Sequence, residues 1–184
     1  MTEELAAAAA ASLVAVQNAW WGCGDTDRFA AYRERIWRRG RYVESDPLLG
    51  PAYRLFLERQ DSCPRTLSNG DFLPWNALAA EDGVCIIDWG FGGVMPYALD
   101  IARFIAHANE ERATFPFYMT EGHKRRFVED VYRALVYKPD PAQYRRDIQL
   151  AMLNEYVEFM EAQEDESGWY RRQAEALAAE IIKW

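Results

Sequence analysis

One short β-like stretch sits inside a sequence that otherwise keeps a helical period, and this limits the folds open to the chain. Val84-Cys85-Ile86-Ile87 is apolar and β-branched, follows Asp82-Gly83, and is preceded by Ala77-Leu78-Ala79, so the segment reads as a hairpin. Upstream, Thr2 followed by Glu3 and Glu4 predicts a capped helix running through an alanine-rich stretch to about Trp20. A second helix is expected from Asp27 to Arg39, with Phe29, Tyr32, Ile36 and Trp37 near one face. A third is expected to start at Asp46-Pro47 and to carry Leu48, Ala52, Leu55 and Phe56 inward. Downstream, helices are predicted over Tyr97–Ala108, over Thr120–Val136, and from Asp140-Pro141 past Phe159. A last one, capped near Ser167, carries Leu177, Ile181 and Ile182. The fold class is therefore α+β, mainly α.

Composition narrows the function classes. Half of the 184 residues are hydrophobic, enough for one domain with its own core. No linker or repeat divides the chain, so 1–184 reads as a single domain. A formal charge of -8 opposes nucleic-acid binding, because the phosphate backbone must be neutralised by cations. Cysteine occurs only at 23, 63 and 85, and neither His107 nor His123 has a Cys or His neighbour in sequence, which argues against zinc and a disulfide framework. Leu5–Val16 is mostly alanine, is broken by Ser12 and follows two acids, so neither a signal peptide nor a membrane span is expected. The expectation is a cytoplasmic chain without a membrane partner.

The chemistry concentrates in Asn69-Gly70-Asp71-Phe72-Leu73-Pro74-Trp75-Asn76, followed by Ile87-Asp88-Trp89 and Asp100-Ile101-Ala102-Arg103-Phe104. Phosphoryl transfer requires a group that orients an attacking hydroxyl, and oxygen ligands that hold magnesium against nucleotide phosphates. Asp71, on a loop leaving a short strand, suits the first role. The amide oxygen of Asn76 and the carboxylate of Asp88 are hard ligands suited to the second, and the hairpin between them should bring them together. The plainer readings are that Asp71 is a turn acid and that Asn76 and Asp88 cap backbone groups.

In order and spacing these three segments resemble the H-G-D-x-x-x-x-N, I-D-[WF] and D-[LI]-A-R-F signatures of the aminoglycoside phosphotransferase and choline kinase superfamily. The resemblance implies a protein-kinase-like fold, here its large C-terminal lobe, with a small β-hairpin at the catalytic loop. It implies ATP and Mg2+ as cofactors, Asp71 as the catalytic base, and Asn76 and Asp88 as metal ligands. It makes Asp100 a support that accepts N–H bonds from the catalytic loop, and Asn69 a structural replacement for the family's histidine. Arg103 and Phe104 are expected to be packing or helix-surface residues. Gly90, Gly92 and Gly93 form either a flexible turn or a phosphate cradle.

The family's β-rich small lobe and its phosphate-binding lysine are not matched. The lysines are Lys124, Lys138 and Lys183, all beyond Asp88, and residues before about 60 read as helices. The small lobe is thus expected to be absent from this sequence and the chain alone to be inactive. A non-catalytic lobe acting as a binding or interaction module is the alternative. The implied partner is a small-molecule hydroxyl substrate, aminoglycoside- or choline-like, and cationic if the late acids face it. Those acids are Glu155, Glu158 and Glu161, followed by Glu164, Asp165 and Glu166; a solvated helix face is the plainer reading. Trp169 and Tyr170 either wall such a pocket or belong to the core. Self-association is expected through the surface that would meet a small lobe.

Overall fold

The computed structural model describes residues 1–24, 26–81, 83–108, 117–162 and 167–184. Its helices are α1 (Glu3–Ala19), α2 (Asp27–Val43), α3 (Leu49–Gln60), α4 (Ala98–Ala106), α5 (Glu121–Ala134), α6 (Pro141–Glu161) and α7 (Trp169–Ile181). Its strands are β1 (Arg65–Ser68), β2 (Ala77–Ala80), β3 (Gly83–Ile86) and β4 (Gly93–Pro96). Local chemistry explains the helix starts. The Thr2 hydroxyl accepts from Leu5 N, that of Thr120 from His123 N, and the Asp140 carboxylate from Ala142 N and Gln143 N.

Several expected boundaries shift. Asp46 Oδ1 does accept from Leu48 N and Leu49 N, but Pro47 lies in a turn and α3 begins at Leu49. Ser167 Oγ accepts from Trp169 N, while the residue immediately before α7 is Gly168 in a left-handed conformation. Trp37, Leu55 and Ile182 are exposed rather than inward. The reason is that each helix here buries a narrow stripe, and the neighbours of Ile36, Phe56 and Ile181 fall off its edge.

β2 and β3 form the expected antiparallel hairpin, with Ala77 opposite Ile86; Asp82 of its turn lies outside the described residues. A second antiparallel pair, β1 with β4, aligns Ser68 with Gly93 and Arg65 with Pro96. This second pair positions the site. The chain leaves β1 into Asn69-Gly70-Asp71, makes the hairpin, passes Asp88, and returns along β1 as β4. The loop after β1 and the turn before β4 therefore face each other.

Beneath them run α4 and the long α6. Phe104 of α4 stacks between Phe72 and Phe127, with ring centroids 4.8 and 4.5 Å away. Buried Asp147 of α6 ties three elements together. It accepts from Arg59 Nε and Nη2 at 2.7 and 2.9 Å, from the Tyr97 hydroxyl at 2.9 Å, and from Gln143 Nε2 at 2.7 Å. Trp169 and Tyr170 are core residues, the latter 1% exposed. No described helix is long and apolar enough to cross a membrane.

Candidate active site

The loop after β1 is held from below by Asp100. Its Oδ1 accepts from Ser68 Oγ at 2.8 Å and Gly70 N at 3.1 Å, and its Oδ2 accepts from Asn69 N at 2.7 Å. Burial pushes the Asp100 carboxyl above its ordinary range, and these donors pull it part of the way back. Asp100→Asn would turn an amide N–H toward groups that are themselves donors. We expect it to lower stability by about 1 to 3 kcal/mol, measured by urea unfolding; an unchanged midpoint would show that the loop does not depend on this acceptor pair.

Asn69 links the loop to the turn before β4. Its Nδ2 donates to Ile87 O at 3.0 Å and Asp88 O at 3.1 Å, while its Oδ1 accepts from Asp71 N at 3.2 Å. One amide thus sets the backbone at both Asp71 and Asp88. Gly70 lets the two segments touch. Its φ is +77°, and a Cβ there would stand 2.4 Å from Phe91 O. A Cβ at Gly93 would meet Arg28 Cβ at 2.6 Å, so close packing rather than flexibility accounts for a glycine at that position. Asp88 itself has φ 55° and ψ 66°, the only positive φ among described non-glycine residues. Such strain persists only where surrounding bonds impose it, and Asn69 supplies them.

Asp71 lies beside Asn76, whose Nδ2 donates to Asp71 O at 2.7 Å and approaches Asp71 Oδ2 at 3.4 Å. The planar Asn76 amide then turns its Oδ1 away from Asp71, and Ile87 N donates to Asn76 O at 2.9 Å, placing Asp88 next in line. Asp88 is exposed and Asn76 is buried. Among the described residues no three of His, Cys, Asp and Glu gather as a metal site. The oxygen donors near the loop are Asn76 Oδ1 and the Asp88 carboxylate.

Arg103 is the site residue that sequence reasoning missed. Rather than packing or facing solvent, it donates from Nε and Nη2 to Asp71 Oδ1 at 3.0 and 2.7 Å, and from Nη1 to Glu155 Oε2 at 2.7 Å. A signal was present. In the otherwise apolar α4, Asp100, Arg103 and His107 fall at helical spacing on one face. His107, fully buried, places Nε2 3.2 Å from Glu155 Oε2 and Nδ1 2.9 Å from the Tyr170 hydroxyl.

The acidic row on α6 is not a solvated face. Glu155 is 4% exposed; Glu158 Oε2 lies 3.1 Å from Arg39 Nη2, and Glu161 pairs with Arg38 and Arg39. Glu164, Asp165 and Glu166 lie outside the described residues. Burial raises the Glu155 carboxyl, but Arg103 and His107 outweigh it and hold it down at about 2. A depressed carboxyl stabilises the fold above its ordinary value of 4.5, and that contribution is lost as pH falls toward 2. Glu155→Gln should therefore be less stable than the parent at pH 7, with the gap closing on acidification below pH 4.5. Denaturant melts at pH 7 and pH 3 test this; a gap independent of pH would mean that the Glu155 charge is not what the fold uses.

Asp71, Arg103, Glu155 and Glu158 line a cavity of about 130 Å³, with Tyr32, Arg35 and Arg39 of α2 as one wall and Phe91, Met95 and Leu99 as another. A larger groove of about 1140 Å³ runs along α5, α6 and α7 and contains none of the loop residues.

The phosphotransferase enzyme family (APH) model matches residues 2–145. The chain belongs to this family. Its fold resembles the crystal structure of a Thermobifida fusca protein assigned as a fructosamine-3-kinase, with a TM-score of 0.57 and 17% identity over all of this chain and 67% of that one. A Plasmodium vivax ethanolamine kinase aligns with 83% of the chain and 48% of its own length, at 15% identity and a TM-score of 0.40, a looser likeness. No curated protein matches the sequence. The phosphotransferase-family chain is thus mainly helical with a kinase-like lobe and a hairpin at the loop carrying Asp71.

Proposed function

We propose that this chain is the catalytic large lobe of an ATP-dependent phosphotransferase that moves a γ-phosphate to a hydroxyl of a small molecule. The observation that carries this reading is the state of Asp71. Arg103 fixes its Oδ1 with two bonds, so Oδ2 is the oxygen left to receive a proton, and the residue opens on a cavity. In this reading a hydroxyl in the cavity donates to Asp71 Oδ2 and transfers its proton there as its oxygen attacks the γ-phosphorus, whose bond to the β–γ bridging oxygen breaks to release ADP. Arg103 keeps the carboxylate aimed, and Glu155 and His107 keep Arg103 in place.

Asn76 Oδ1 and the Asp88 carboxylate, one neutral and one anionic oxygen, fit magnesium, which takes few protein ligands and completes its shell with water and phosphate oxygens. When bound, the metal would neutralise charge on the transferring phosphate. Self-association belongs to the same proposal. Trp75, Leu78, Ile87, Trp89 and Phe91 are exposed around the hairpin, next to the proposed nucleotide side.

An aminoglycoside- or choline-like acceptor rested on the acids of α6, and those described are already paired with arginines. A non-catalytic binding lobe is the second reading. The experiment is transfer of labelled γ-phosphate from Mg·ATP to a pool of small hydroxyl compounds by the chain supplied with a kinase-type small lobe, since the large lobe alone is expected to be inactive, with Asp71→Asn as control. Transfer by the parent alone supports the phosphotransferase; transfer by both excludes Asp71 as the base. Transfer by neither favours the binding lobe.

A further inference from the structure

The charges around the Asp71 cavity leave one group unspent. Asp71 is bonded to Arg103, Glu155 to Arg103 and His107, and Glu158 to Arg39. Asp100 accepts three donors. Arg39 is itself consumed by Asn154, Glu158 and Glu161. Arg35 also lines the cavity, is exposed, and among the described residues makes no hydrogen bond or ion pair. Its charge acts on Glu158, whose carboxylate Arg39 already holds.

Arg35 is not isolated on its helix. Arg28, Tyr32, Arg35 and Arg39 share one face of α2 by helical spacing, and the Arg28 side chain lies over Gly93 of β4, against the same side of the fold. Of that face, Arg35 and Arg39 reach the cavity, Arg35 unpaired and Arg39 paired. A ligand entering the cavity thus finds neutralised acids and an unpaired cation. A guanidinium binds a carboxylate through parallel hydrogen bonds.

We infer that the acceptor is a small hydroxylated carboxylic acid, its carboxylate on Arg35 and its hydroxyl toward Asp71. This rests on the reading of Asp71 as the group that faces the acceptor. A monoanion fits better than a phosphate, because one unpaired guanidinium with Glu158 nearby does not balance two negative charges. The volume of about 130 Å³ admits a single short chain or ring, well below the 300 Å³ or more of a drug-sized pocket.

Three probes of one carbon frame test the charge. Gluconate carries a terminal carboxylate, sorbitol a hydroxyl, and 1-amino-1-deoxysorbitol an ammonium. Each is titrated into the 15N-labelled chain, following the amides of Gly70 and Asp71 and the Arg35 Nε–H. Gluconate is expected to bind about tenfold more tightly than the amine, as one charge-assisted pair would give. Arg35→Gln should bring that ratio to about one, while Arg38→Gln, on the same helix but paired with Glu161, should leave it unchanged. Equal affinities, a preference for the amine, a preference that survives Arg35→Gln, or no binding by any probe would overturn the inference. Shifts at Gly70 and Asp71 without charge preference would leave the acceptor site standing and remove only the carboxylate. Shifts confined to other regions would remove both.

Discussion

Arg103→Met is expected to cost about 3 to 5 kcal/mol of stability, the range for removing one partner of a buried ion pair. Methionine nearly fills the space but leaves Asp71 and Glu155 facing each other across it without their shared cation. Glu155 retains only His107, and Asp71 retains only the Asn76 amide at 3.4 Å. For a chain of this size the loss should lower the melting temperature by roughly 10 °C. Arg103→Lys should fall between, since one ammonium cannot repeat the bridge from Asp71 Oδ1 to Glu155 Oε2. Thermal melts of the three proteins decide the matter; a methionine variant as stable as the parent would mean that the pairs are incidental.

Asp71→Asn should separate chemistry from folding. The amide keeps an oxygen for the two Arg103 bonds but cannot take a proton, so transfer should fall by about 10² to 10⁴ while the melt stays cooperative, its midpoint falling less than in Arg103→Met because Arg103 keeps Glu155. Alanine is the poorer choice. From sequence, a loop carboxylate should contribute little to packing and Asp71→Ala should fold normally. The structure instead pairs Asp71 with a buried guanidinium, so alanine would lower stability as well and confuse the two effects. Measured on the same preparation, a large loss of transfer with a cooperative melt supports the assigned role. Comparable transfer by both proteins removes it.

What could be read in the sequence followed from local chemistry. Thr2, Thr120 and Asp140 announce their helices because an N-cap is a contact between residues three apart or less. Asp82-Gly83 and the β-branched run announce the hairpin for the same reason. The pairing of β1 with β4 was not legible, because Arg65–Ser68 and Gly93–Pro96 have weak strand character alone and are joined only by the intervening turn and hairpin. The role of Arg103 was hidden similarly. Its partners lie 32 and 52 residues away, and only the polar face of an apolar helix hinted that the group was buried. The Glu155, Glu158 and Glu161 spacing gave a helix face correctly but not its surroundings, since period alone cannot say whether a polar stripe meets water or arginine.

In the proposed phosphotransferase the loop after β1 and the turn at Asp88 form one centre for a metal-bound nucleotide. This centre is tested most directly with Mn2+ as a paramagnetic substitute for magnesium, added with a non-hydrolysable ATP analogue to the 15N-labelled chain. The account predicts that the side-chain amide of Asn76 and the backbone amides of Asp88 and Trp89 broaden before any others, and that Asp88→Ala abolishes the effect. Broadening centred elsewhere, or unchanged by Asp88→Ala, would contradict it and leave Asp88 a strained turn residue with no metal to hold.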